Sequence, residues 1–302
     1  MNQTVPHSNQ AFAEAKGIRI AYDTFGDPSA QPLLLIQGLG GQLVNWREEF
    51  CVQLATRGYW VIRFDNRDVG LSTSFDEAGV PNIAQMTRVQ QQGEPLQTPY
   101  TLYDMSDDTI GLLDVLRIET AHVLGVSMGG RIAQIMAIRH APRIRTLTSI
   151  MSTMGETGYP PPKPEAFSIL LTPAPKDRAG YIEYYVQIAQ VLGGTGFTPD
   201  ENRVRECAGR AFDRRFNPAG VARQMAALMA TGSVKNELRY LKVPILVIHG
   251  TDDPLIPVEC ARDVVHTIPG ARLLIIEGMG HALSDIPQIW PEVIDAVSRH
   301  AV

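Results

Sequence analysis

The sequence predicts an α/β fold: a doubly wound, mostly parallel sheet with helices on both faces and a helical cap inserted between two of its strands. Three features carry that expectation. Short apolar runs recur along the chain and are near-continuous rather than alternating, which suits parallel strands covered on both faces. Amphipathic helical stretches separate them. One long stretch, residues 153–241, has helical patterns and no strand-like run.

The elements follow in order. Residues 17–25 (GIRIAYDTF) alternate more clearly and read as an antiparallel edge strand. The parallel series runs 33–37 (LLLIQ), 60–65 (WVIRFD), 121–126 (AHVLGV), 144–150 (IRTLTSI), 245–249 (ILVIH) and 271–277 (ARLLIIE). Helical patterns occupy 43–57, 103–116, 128–140, 258–267 and 288–300. Residues 73–99 hold several glutamines, Gly79, Gly93 and three prolines, show no clear period, and read as a long surface excursion. A proline-rich segment (YPPPKP) opens the stretch 153–241, and helical patterns follow at 181–192, 201–211 and 220–231. The resulting division is a core of 1–152 and 242–302 with 153–241 as the inserted cap. Insertions of this kind often line active sites.

Composition narrows the function. A chain of 302 residues with 44% hydrophobic and 20% charged positions can bury a sizeable core without staples. The formal net charge of -5 and the lack of any Lys/Arg cluster argue against a nucleic-acid partner. Three cysteines, Cys51, Cys207 and Cys260, are too far apart for a metal knuckle and odd in number, so they are expected to be buried, unpaired thiols in a reducing compartment. The first residues lack a basic start followed by an apolar stretch, and no run approaches a membrane span. A cytoplasmic protein without membrane partners is expected.

The chemistry centres on AHVLGVSMGGRIAQIMAIRH. A strand runs into Gly125-Val126-Ser127-Met128-Gly129 and a helix follows at once, which is the strand–turn–helix setting of a G-x-S-x-G nucleophile elbow. The turn is so sharp that Ser127 must take a strained conformation, and the flanking glycines let strand and helix approach. The helix N-terminus aims its free N–H groups at the reacting centre. A serine hydroxyl needs a base. Of seven histidines, His281 lies in a loop just after the last strand, where open α/β sheets place their sites. His7 and His300 are near the termini, His122 starts a strand at the far end, and His140 and His266 fall on helices. His249 ends a strand and is expected to support the loop that follows. That loop carries Asp252 and Asp253, and either carboxylate could orient the base. An oxyanion hole needs two backbone donors. The N–H of Met128 is one, and Leu39, in Gln37-Gly38-Leu39-Gly40-Gly41, is the best candidate for the other.

Together these residues resemble the α/β-hydrolase superfamily over nearly the whole chain. The segment Phe64-Asp65-Asn66-Arg67-Asp68-Val69-Gly70-Leu71-Ser72 is similar to the family's D-x-R-G-x-G-x-S, with Asp68 where glycine is more usual. Gln37 replaces a common histidine before the oxyanion glycine. The pairing of this segment with Gly278-Met279-Gly280-His281-Ala282 resembles the aclacinomycin methylesterase-like carboxylesterases. The resemblance selects Asp253, third after the glycine and directly before a proline, as the triad acid. It implies the chain order Ser127, Asp253, His281, hydrolysis of a small-molecule carboxylic ester through an acyl-enzyme, and no cofactor or metal.

Other readings share parts of this pattern. A carbon–carbon bond hydrolase or a perhydrolase would use the same triad, although apolar Leu39 and Met128 do not favour a dienoate substrate. Dehalogenases and epoxide hydrolases need an aspartate nucleophile. A non-catalytic binding protein on this fold is the reading of another class. Tyr181, Tyr184, Tyr185, Phe212 and Phe216 either line a substrate pocket or pack among themselves, and Trp46 either reaches the cavity or packs on the sheet.

Overall fold

The computed structural model describes residues 5–301. Its strands are β1 (Ala11–Ala15), β2 (Ile18–Phe25), β3 (Gln31–Ile36), β4 (Tyr59–Phe64), β5 (Ala121–Val126), β6 (Ile144–Ile150), β7 (Ile245–Gly250) and β8 (Arg272–Ile276). They form one sheet in the order β1-β2-β4-β3-β5-β6-β7-β8. The β1–β2 and β2–β4 pairs are antiparallel, and all the others are parallel. The doubly wound sheet is therefore as predicted, with one correction. The edge is β1, whose short, alanine-rich AFAEA carries little strand signal, and β2 lies inside it.

The helices are α1 (Glu48–Ala55), α2 (Ile83–Gln91), α3 (Leu102–Val115), α4 (Met128–Arg139), α5 (Pro164–Leu171), α6 (Arg178–Leu192), α7 (Glu201–Arg214), α8 (Pro218–Thr231), α9 (Lys235–Leu238), α10 (Val258–Thr267) and α11 (Trp290–His300). The continuous apolar strands divide by alternation. Leu34, Ile36, Val123, Leu147 and Val247 face a core shared with α3, α4 and α10. Leu33, Leu35, Leu124, Ile150 and Ile248 face a second core shared with α1 and α11. Each such side chain removed from water contributes about 1.5–3 kcal/mol, so both faces must be covered.

Three expectations change in detail. The helical pattern over 43–57 is broken: a 3-10 turn at Leu43–Asn45 precedes α1. Trp46 sits in the break, 1% exposed and stacked on Phe50, so it packs in the core rather than reaching a cavity. The excursion 73–99 contains α2, which has no buried residue and so shows no apolar stripe. Five helices, α5 to α9, lie between β6 and β7, and no strand interrupts them among the described residues. Two of these, α5 and α9, are short and lay outside the predicted patterns.

The topology fixes where a site can form. The chain passes from β3 to β4 on one side and then to β5 on the other side of β3. This is the switch point at which open α/β sheets leave a crevice beyond their C-terminal strand ends. Pairing of Ile36 with Gly125 sets the loop after β3 beside the turn after β5.

Candidate active site

Ser127 stands at the β5–α4 junction with φ 54° and ψ −120°. This left-handed φ is strained for a residue with a side chain and costs on the order of 1–3 kcal/mol. Its surroundings impose it. Ser127 N–H donates to Ile150 O at 2.9 Å, while its carbonyl accepts Gly130 N–H at 3.0 Å and the Ser152 hydroxyl at 2.7 Å. The elbow is also sterically closed. A Cβ on Gly125 would stand 2.2 Å from Gly129 O, and one on Gly129 would stand 2.2 Å from Ile36 O. Only glycine allows β3, β5 and α4 to meet this closely.

Three side chains from three loops converge here. His281, after β8, has Nε2 3.0 Å from Ser127 Oγ and Nδ1 2.7 Å from Asp253 Oδ2. A carboxylate only accepts, so Nδ1 carries the hydrogen and Nε2 is free to accept the serine proton. Asp253, after β7, is fully buried at its side chain, and its Oδ1 accepts Leu255 N–H at 2.9 Å and Ile256 N–H at 2.8 Å. Burial opposes its charge, but His281, by its charge and its hydrogen bond, and nearby His249 outweigh that and hold its carboxyl well below the usual range. His249 donates through Nε2 to Ile256 O at 2.8 Å and lies 3.4 Å from Asp253, where it supports the loop.

Asp252 points elsewhere. Its carboxylate accepts from the hydroxyls of Thr195 and Thr251, and its N–H donates to Met279 O. The geometry thus brings Ser127, His281 and Asp253 together and leaves Asp252 out.

Two backbone N–H groups next to the elbow have no acceptor among the described residues. Met128 N–H opens α4 and has no intrahelical partner. Leu39 N–H has no acceptor among the described residues, whereas Gly38 N–H donates to Gln37 Oε1 at 3.1 Å and Gly41 N–H to Gly38 O at 3.2 Å. Gln37 therefore folds back on its own loop. A Cβ on Gly38 would stand 3.2 Å from Ser127 Cβ, so the loop lies against the elbow.

The segment after β4 braces these loops. Buried Asp65 accepts Leu43 N–H at 2.6 Å and Leu71 N–H at 2.9 Å and pairs with Arg214 of α7. Asn66 donates to Gln37 O at 3.2 Å. Asp68 has φ 71° and 0% exposure, and its carboxylate is gripped by Arg223 of α8 through Nη2 at 2.7 Å and Nε at 2.9 Å. The departure from glycine at this position thus has a partner 155 residues away, which no local pattern discloses.

The His281 loop is held likewise by the end of α6. His281 N–H donates to Leu192 O at 2.6 Å and Gly280 N–H to Gly193 O at 3.1 Å. A Cβ on Gly280 would stand 2.1 Å from Leu192 O, so the GMGH glycines admit this contact. The aromatic residues between β6 and β7 pack on one another: Tyr181 lies 4.6 Å from Tyr185, 5.3 Å from Phe212 and 5.8 Å from Phe216 between ring centroids. The three cysteines are free and buried.

Comparison with known proteins agrees with this architecture. A family model described as the alpha/beta hydrolase fold matches residues 31–286. The chain is 31% identical over 280 residues to rhodomycin D methylesterase DauP of Streptomyces sp. (strain C5), covering 85% of this chain and 87% of that protein. It matches rhodomycin D methylesterase DnrP of Streptomyces peucetius at the same identity and coverage. Among solved structures, 2-hydroxy-6-oxo-6-phenylhexa-2,4-dienoate hydrolase from Rhodococcus sp. strain RHA1 superposes with a TM-score of 0.75 at 17% identity, over 98% of this chain and 99% of that one, a likeness of fold alone.

Proposed function

This chain belongs to the alpha/beta hydrolase family, and from that premise we propose that it is a serine hydrolase of carboxylic esters with Ser127, His281 and Asp253 as its catalytic triad. The observation that carries the proposal is the continuous relay from Ser127 Oγ through His281 to Asp253, at 3.0 and 2.7 Å, beside two unengaged backbone N–H groups. The two methylesterase relatives support an ester substrate whose alcohol part is small. In this reading, residues 153–241 form a cap over the core. Three unpaired cysteines support a reducing compartment.

The reaction follows from the geometry. Ser127 Oγ attacks the ester carbonyl carbon while His281 Nε2 takes its proton. The carbonyl oxygen becomes an oxyanion held by the N–H groups of Leu39 and Met128, at the positive end of α4. Buried Asp253 keeps Nδ1–H in place and stabilises the imidazolium. Collapse of the tetrahedral species breaks the bond to the alcohol oxygen, which receives the proton from Nε2. Water then yields a proton to His281 and attacks the acyl-serine, releasing the acid and restoring Ser127.

The test is hydrolysis of methyl and p-nitrophenyl esters of graded chain length by wild type and Ser127→Ala. Turnover confined to the wild type is expected. Equal rates in both proteins would remove Ser127 from the mechanism.

A further inference from the structure

We propose that Gln224, on the inserted helix α8, is a positioning residue that sets the oxyanion loop; the inference rests on the esterase reading above. Gln224 is 0% exposed, and both ends of its amide are engaged. Its Oε1 accepts Gly40 N–H at 2.9 Å and its Nε2 donates to Arg67 O at 2.8 Å. One side chain thus ties the loop after β3 to the segment after β4, 184 and 157 residues away in the chain.

The loop needs such a tie. Gly38 to Gly41 is closed by the Gly41 N–H to Gly38 O bond at 3.2 Å, with φ +70° at Gly40. A positive φ at the third residue is the type II pattern, in which the central peptide is flipped relative to the commoner type I turn. That central peptide joins Leu39 to Gly40, and its N–H is the one Gln224 accepts. Without this acceptor, the peptide loses the bond that selects its orientation. Rotating it turns ψ of Leu39 and φ of Gly40, and it frees the loop that carries the Leu39 N–H from the segment after β4. The Gly41 N–H bond holds the preceding peptide, so Gln224 supplies the second constraint.

The side chain is itself fixed. Arg223, its neighbour, carries the buried pair with Asp68. Asn217 opens α8 with Oδ1 accepting Gly220 N–H at 3.1 Å and Nδ2 donating to Asp68 O at 3.0 Å. One turn before Gln224, Val221 Cγ2 lies 3.1 Å from where a Gly40 Cβ would be, so α8 packs directly on the loop. A site works when its supporting residues are locked in this way. In this account α8 is a fixed wall of the catalytic centre.

The test compares wild type with Gln224→Met, which keeps the volume and removes both hydrogen bonds, and with Gln224→Glu. Losing an oxyanion donor, or misplacing one by an ångström, costs on the order of 10²-fold or more. Gln224→Met is expected to lower kcat by about 10–100-fold, with KM within about 2-fold. Fluorophosphonate labelling of Ser127 should slow in parallel, because phosphonylation needs the same donors. In Gln224→Glu the protonated acid can still accept from Gly40 and donate to Arg67. Its kcat relative to wild type should therefore rise as pH falls from about 8 to 5.5, since burial raises a carboxyl pKa.

A Gln224→Met enzyme with wild-type kcat and only a lower melting temperature would overturn the inference while leaving the esterase reading intact. If Gln224→Met does not fold, Gln224→Glu decides: a pH-independent ratio to wild type overturns it. Wild type that neither hydrolyses esters nor labels at Ser127 would remove the esterase reading, and this inference with it.

Discussion

Replacing Asp68 by glycine would restore the residue more usual in the family's segment, and the structure predicts that it destabilises this chain. Part of the change is favourable. Asp68 holds φ 71°, and glycine takes that conformation without a strain of about 1–2 kcal/mol. Against this stands the loss of a carboxylate with 0% exposure. It accepts from Arg223 at 2.7 and 2.9 Å, from the Tyr100 hydroxyl at 2.6 Å and from Phe75 N–H at 2.9 Å. Removing one partner of a buried pair costs about 3–5 kcal/mol, because the other charge is stranded. The lower end applies here, since the guanidinium keeps Gly79 O at 2.8 Å and Asp76 at 3.1 Å, the latter carboxylate 61% exposed. After strain relief, the net loss should be about 2 kcal/mol. Urea unfolding with linear extrapolation reads it. The second arm is Asp68→Gly with Arg223→Met, which removes the stranded cation and should recover at least about 1 kcal/mol. A single variant as stable as wild type, or a double variant no more stable than the single one, would show that Arg223 is not stranded by the loss of Asp68.

Three more outcomes follow from buried ionisable groups. In Asp253→Asn the amide oxygen keeps the Leu255 and Ile256 N–H bonds, so its NH2 faces His281 Nδ1 and favours the wrong tautomer; kcat should fall by about 10³–10⁴-fold with a much smaller change in KM. Because its pKa is depressed on folding, the Asp253 carboxylate contributes stability that is complete above its unfolded value near pH 4 and is lost as pH falls below it. The stability gap between wild type and Asp253→Asn should narrow as pH falls from about 5 to 2, and a gap that widens on acidification would contradict this. Burial pushes the Cys51 thiol up to about 12 and the thiols of Cys207 and Cys260 to about 11. The native protein should therefore resist a disulfide-exchange reagent at about pH 8. All three thiols should react after denaturation, and fast reaction of the native protein would show the burial to be wrong.

The legible parts of this protein are those whose signal is local. The strands β5 and β7 are covered on both faces, so their apolar runs stand out near-continuous, and the elbow is written in consecutive residues from Gly125 to Gly129. The base and acid could be narrowed because each lies just beyond a strand end. Choosing Asp253 over Asp252 needed a resemblance, since the two differ only in where the loop points them. Elements without a buried stripe escaped, as α2 did, and so did the small side chains of β1. The contacts that brace the site were illegible for another reason. Asp68 with Arg223 and Gly40 with Gln224 join residues more than 150 positions apart, and a single sequence holds no period or spacing that pairs them.

The claim that Ser127 is an activated nucleophile is tested most directly by a fluorophosphonate probe, with the adduct located by peptide mass mapping. One adduct is expected, on Ser127, absent in Ser127→Ala and formed far more slowly in His281→Ala. An adduct on another residue, equal labelling of Ser127→Ala, or an unlabelled wild type would contradict it.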